Sequence, residues 1–110
     1  MKLSDPRLLR QQCYVAGVWC DADDGETIDV TNPATGAVIA TVPKMGAKET
    51  ERAIKAAEKA YPAWRATPAK SRAQILRRWF DLMMENQEDL ATLMTAEQGK
   101  PLAESRGEIA

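Results

Sequence analysis

Hydrophobic and polar positions alternate with two different periods along this chain, and the change from one to the other divides it. Cys13-Tyr14-Val15 and Val18-Trp19-Cys20 flank the pair Ala16-Gly17, the spacing of a two-residue hairpin. In that register Cys13 lies opposite Cys20, at a separation a disulfide tolerates, and a reducing cytoplasm favours two free thiols. Asp21-Ala22-Asp23-Asp24-Gly25 reads as a polar turn. Thr27-Ile28-Asp29-Val30 and Ala37-Val38-Ile39-Ala40-Thr41-Val42 alternate as strands. They are joined by Asn32-Pro33-Ala34-Thr35-Gly36, where Pro33 presets φ and Gly36 supplies a positive φ for a bulged closure.

From Ala47 the period is helical. Ala53, Ile54, Ala57, Tyr61 and Trp64 form one stripe, with Glu51 and Lys55 paired on the other side. Pro62 is expected to end or kink this helix. Thr67-Pro68 predicts an N-cap followed by proline at the first helical position. Ala69, Ala73, Leu76, Trp79, Phe80 and Met83 form the next stripe, widened by Ile75 and Leu82. Asn86 with Asp89 resembles a capping arrangement for a third helix whose inner face is Leu90, Leu93 and Met94. Gly99 closes it and Pro101 opens a fourth. No stop signal follows Ile109 and Ala110, so the pattern predicts a helix that runs on. The hairpins thus occupy about 13–42 and the helices about 47–110.

Composition narrows the function classes. With 15 Lys and Arg against 16 Asp and Glu, a phosphate-backbone binder is disfavoured, and Arg72, Arg77 and Arg78 read as a solvated helix face paired with Asp81. The 45% apolar share is weighted towards alanine, which builds a thin core and leaves the stripes short of internal partners. No apolar run approaches a membrane span, and the first residues carry neither a secretion nor a transit signal, which makes the cytoplasm the default location. Histidine is absent, so a Ser-His-Asp triad or a histidine zinc site cannot be assembled from these residues. Gly17, Gly25, Gly36, Gly46, Gly99 and Gly107 never reach the spacing of a phosphate-binding loop. Cys13 and Cys20 lack an imidazole partner and are poor candidate nucleophiles. From the residues alone, the chain is a strand-then-helix module without a catalytic constellation, and a stand-alone α+β interaction module is one reading of it.

Three stretches carry a resemblance. Val15-Ala16-Gly17-Val18-Trp19, Thr31-Asn32-Pro33-Ala34-Thr35-Gly36-Ala37-Val38-Ile39 and Glu97-Gln98-Gly99-Lys100-Pro101 occur in the order and spacing of the amino-terminal region of the aldehyde dehydrogenase superfamily. That family usually has Asn or Asp where Ala16 stands. Leu8-Leu9-Arg10-Gln11-Gln12, Val42-Pro43-Lys44-Met45-Gly46-Ala47, Pro62-Ala63-Trp64-Arg65-Ala66 and Leu93 to Glu104 resemble its bacterial succinate-semialdehyde branch. The resemblance implies an α/β parent fold with a Rossmann-like cofactor domain, a catalytic domain and an oligomerisation arm, of which these residues are the first part. It implies a homo-oligomeric, NAD(P)-dependent oxidation of succinate semialdehyde to succinate. The catalytic cysteine, the glutamate, the oxyanion asparagine and the dinucleotide loop would all lie beyond residue 110, leaving this chain inactive alone. It also implies a structural cation, monovalent or divalent, held by the carbonyls of Val30 and Thr31 and the carboxylate of Glu97, oxygen donors suited to a hard ion.

Overall fold

The change of period is the main division of the structure. The computed structural model describes residues 1–110. A short 3-10 turn at Pro6–Leu8 precedes β1 (Cys13–Val15), β2 (Val18–Cys20), β3 (Thr27–Thr31) and β4 (Val38–Pro43). Four helices follow: α1 (Ala47–Ala66), α2 (Ala69–Glu85), α3 (Gln87–Gln98) and α4 (Leu102–Ile109). The strands form two separate antiparallel hairpins, β1–β2 and β3–β4, which do not merge into one sheet.

The first hairpin pairs Cys13 with Cys20, Tyr14 with Trp19 and Val15 with Val18. Ala16 (φ 52°) and Gly17 (φ 82°) are both left-handed, the conformation whose twist matches antiparallel strands across a two-residue loop. At Ala16 that conformation costs about 1–2 kcal/mol, because Cβ crowds the carbonyl. On one face the Tyr14 and Trp19 rings pack with centres 4.9 Å apart and planes tilted by 48°, and the Arg10 guanidinium lies 4.7 Å from the Trp19 ring centre.

The second hairpin closes on Asn32. Its carbonyl accepts the N–H groups of Thr35 (3.3 Å) and Gly36 (2.8 Å). Its side-chain oxygen accepts that of Ala34 (2.9 Å). Gly36 does adopt a positive φ of 72°, but the bulge is not there. Thr31 pairs with Val38 and Val30 with Ala40, so Ile39 is the unpaired extra residue.

Two local expectations are corrected, and a third in part. Helix α1 does not end at Pro62 but runs through it to Ala66. The ring removes one hydrogen bond in an exposed stretch near the helix end, where water can serve the freed carbonyl. Thr67 does not cap α2. Its hydroxyl donates to the Ala63 carbonyl (2.9 Å), closing α1, while Pro68 takes the N-cap position of α2. Asn86 likewise turns backward, its amide donating to the Leu82 carbonyl (2.8 Å), and Asp89 faces a distant segment. By contrast, the Glu51–Lys55 (2.7 Å) and Arg77–Asp81 (3.1 Å) pairs form as the spacing requires, and Arg78 reaches Glu85 (3.2 Å).

Helix α1 is anchored to the hairpins at its first turn. The Glu49 carboxylate accepts the N–H groups of Gly46 (3.0 Å) and Asp23 (3.1 Å), and Arg52 grips Asp23 with two bonds of 2.9 and 2.6 Å. Helices α3 and α4 fold back on one another around Ala91 and Ser105, both fully buried, with the Thr95 and Ser105 hydroxyls 2.8 Å apart. The inner face of α3 is thus Ala91 and Ala96, while Leu90, Leu93 and Met94 are only half-buried. Small side chains make this core, and α1 and α2 bury no residue at all. The result is open. The radius of gyration is 16.6 Å, against about 13 Å for a compact domain of this length. The accessible surface is 8126 Å², against about 6,000 Å² for a compact monomer of this mass.

Candidate functional site

Two turns far apart in sequence meet at one point. Helix α3 ends on Gly99 at φ 83°, its N–H bonded to the Thr95 carbonyl (2.9 Å). A Cβ built there would lie 2.9 Å from Cγ of Pro33. Glycine is therefore required twice, by the left-handed backbone and by the proline ring seated against it. This contact sets the end of β3 beside the end of α3. A groove of about 420 Å³ runs along the same seam, lined by Leu9, Asn32, Val38, Ile39 and Ala96.

The three residues assigned to a cation flank that seam. Val30 is half-buried in β3 and Thr31 is exposed, and the bulge interrupts the ladder between them. Glu97 is exposed in the last turn of α3, without an ion-pair partner in the chain. The chain holds no cluster of three His, Cys, Asp or Glu side chains that could bind a metal, so any cation here would depend on backbone carbonyls. An all-oxygen set with one carboxylate fits a hard cation.

Sequence reasoning missed the one buried carboxylate. Asp89, 7% exposed, accepts the N–H of Ser4 on one oxygen and that of Asp5 on the other, both at 2.8 Å. A carboxylate in the first turn of a helix reads as a local cap, and nothing local marks partners 84 and 85 residues away. The bonds from the Ser4 and Asp5 N–H groups hold the Asp89 carboxyl below the usual aspartate range, against burial and the nearby Asp5 charge. A carboxyl lowered on folding contributes stability above its unfolded pKa of about 3.9, and that stability is lost as pH falls through the folded value. Acidification below about pH 4 is therefore expected to release the first residues from α3. The Ser4 and Asp5 amides should lose their protection, measured against the intrinsic exchange rate at each pH, before the α3–α4 pair opens. Asp89→Ala should show the same release at neutral pH. Unchanged exchange in Asp89→Ala would remove the carboxylate from this role.

The last turn of α4 is tied to the start of α3 by similar means. Arg106 grips Glu88 with bonds of 2.7 and 2.9 Å, Gln87 donates to the Arg106 carbonyl (3.0 Å), and Lys100 pairs with Glu108. These groups brace structure and offer no reacting atom. Cys13 and Cys20 are half-buried in the first hairpin, and no histidine exists to activate either. No helix is long and apolar enough to cross a membrane.

The sequence profile of the aldehyde dehydrogenase family matches residues 19–110. The chain belongs to the aldehyde dehydrogenase family. It is 70% identical over 110 residues to glutarate-semialdehyde dehydrogenase of Pseudomonas aeruginosa, covering all of this chain and 23% of that protein. It is 65% identical over 109 residues to succinate-semialdehyde dehydrogenase (NADP(+)) of Escherichia coli, covering 99% of this chain and 23% of that one. The crystal structure of succinate-semialdehyde dehydrogenase from Burkholderia pseudomallei superposes with a TM-score of 0.95 at 57% identity, over 99% of this chain and 23% of that one. The chain therefore spans about a quarter of the length of the curated relatives it matches. In this aldehyde dehydrogenase segment, the two motifs centred on Pro33 and Gly99 are the two sides of a single tertiary contact.

Proposed function

We propose that this chain is the amino-terminal segment of a cytoplasmic, NAD(P)-dependent semialdehyde dehydrogenase that oxidises an aldehyde bearing a terminal carboxylate. Succinate semialdehyde and glutarate semialdehyde are its two candidate substrates. The 70% and 65% identities to relatives named for them support the class. The two substrates differ by one methylene, a difference a pocket discriminates by about 1–3 kcal/mol. No residue of this chain is assigned a catalytic role. The bound nicotinamide would supply hydride acceptance, and no glycine loop in these residues fits it.

The segment's own task is structural. The carrying observation is that α1 and α2 bury nothing while their apolar stripes are in place. Their occupant is the remainder of the same fold, within a homo-oligomer. The proposal includes a structural cation on the carbonyls of Val30 and Thr31 and the carboxylate of Glu97, supported by the bulge at that point and by the Pro33–Gly99 contact that aligns the two elements.

A chimera tests this reading. The first 110 residues of the Pseudomonas aeruginosa relative are replaced by this chain. The chimera is expected to oxidise glutarate or succinate semialdehyde within about tenfold of the parent, because 70% of the exchanged residues are identical and most surface substitutions cost a fraction of a kcal/mol. The chain alone should show no turnover. An insoluble or dead chimera, with a sharp cooperative melt for the chain alone, would replace this reading by the free-standing interaction module. Rubidium-soaked crystals of the chimera should show anomalous density beside Glu97, and its absence would remove the cation.

A further inference from the structure

The proposed function makes no use of the two sulfurs on the first hairpin. Cys13 in β1 and Cys20 in β2 are directly opposed, and both are free, half-buried thiols. Counting outward from the two-residue loop, Val15–Val18 is a hydrogen-bonded pair, Tyr14–Trp19 is not, and Cys13–Cys20 is hydrogen-bonded again. Such partners lie about 5.5 Å apart at Cα, within the range a disulfide spans, while their Cβ atoms lie at the wide end of about 4.5–5.5 Å, so closure has to draw the two strands together at that end. Opposed residues project to the same face of a hairpin. The Cys20 thiol already leans across the strand gap, donating to the Cys13 carbonyl at 3.5 Å.

Other uses of the pair find no support. A soft-metal site needs four donors, and no further His, Cys, Asp or Glu joins these two sulfurs. A catalytic thiol nucleophile of the cysteine–histidine kind needs an adjacent base, and the chain has no histidine. A two-stranded hairpin is marginal by itself. Tyr14, Val15 and Ala16 form one wall of an open groove whose other wall is the alanine row Ala53, Ala56, Ala57 and Ala60 on α1. A bond across its open end would act where the hairpin is weakest.

We propose that Cys13 and Cys20 are a reversible oxidation site, closed into an intramolecular disulfide by a low-molecular-weight disulfide such as oxidised glutathione. One cysteine thiolate attacks oxidised glutathione, forming a mixed disulfide and expelling one glutathione thiolate. The second cysteine thiolate then attacks the protein sulfur of that mixed disulfide and expels the other. The pair loses two electrons, oxidised glutathione gains them, and the two thiol protons end on the two reduced glutathiones. The bond staples β1 to β2 and leaves the Tyr14–Trp19 face, on the other side, unchanged.

The test uses the reduced chimera described above at neutral pH, treated with oxidised glutathione, quenched in acid and mapped by peptide mass. The peptide spanning both cysteines should lose the mass of two hydrogens at a rate independent of protein concentration, with no mixed disulfide accumulating. Amide exchange at Val15 and Val18 should then slow by about tenfold or more, since cross-linking removes open hairpin states. Cys13→Ser and Cys20→Ser should each stall at one bound glutathione. Stalling of the unsubstituted chimera at two glutathiones on that peptide, disulfide-linked dimers, or unchanged exchange after closure would overturn the proposal.

Discussion

Gly99→Ala is expected to destabilise the fold by about 2–5 kcal/mol, among the largest effects available to a single methyl group. Two independent costs combine. Holding alanine at φ 83° costs about 1–2 kcal/mol. The new Cβ would meet Pro33 Cγ at 2.9 Å, closer than real Cβ contacts, and relieving it by moving backbone costs about 1–3 kcal/mol. The ring cannot swing aside, because Pro33 lies in a loop fixed by three bonds to Asn32. Denaturant melts of the chimera read the loss directly. Pro33→Ala separates the two costs, since it removes Cγ and leaves Cβ at 3.9 Å, an ordinary contact. The double substitution Gly99→Ala with Pro33→Ala should recover the steric part and none of the backbone part. Full additivity of the two single effects would show that the ring and the helix end do not press on one another.

The features legible in the sequence are those fixed over a few residues. Glu51–Lys55 and Arg77–Asp81 formed because helical spacing alone brings them together. The opposition of Cys13 and Cys20 followed from loop length, which sets hairpin register. Thr67 and Asn86 were misread because a small polar side chain between two helices can serve either one, and here each closes the helix before it. The bulge at Ile39 was missed because Gly36 gave a sufficient local reason for placing it in the loop. Asp89 was missed because its partners are 84 and 85 residues away. The candidate site shares that limitation. Val30, Thr31 and Glu97 carry no local pattern, and only resemblance singled them out. What the fold adds is the Pro33–Gly99 contact, which gives two family motifs one physical purpose.

The unburied helices lead to the second large effect. On α2, Ile75, Leu76 and Trp79 are 55%, 53% and 63% exposed in this chain. Trp79→Glu should therefore change the stability of the chain alone by no more than about 0.5 kcal/mol, as surface substitutions do. Glutamate suits a helix at least as well as tryptophan, so no propensity cost intervenes. In the chimera the same substitution should cost about 3–5 kcal/mol, because a side chain that has become core is lost and a carboxylate is forced against apolar neighbours. That is enough to leave most of the protein aggregated and inactive. Gln74→Glu, on the polar side of α2 with Arg78 and Asp81, is the matched control and should be neutral in both settings. Equal, small effects of Trp79→Glu in the two settings would mean that the stripe is never covered, and the assignment of α2 as a docking face would fall. A large effect confined to the chimera would locate the stabilising contacts of this segment across its boundary with the rest of the fold, which accounts for helices α1 and α2 with well-formed apolar stripes and nothing buried beneath them.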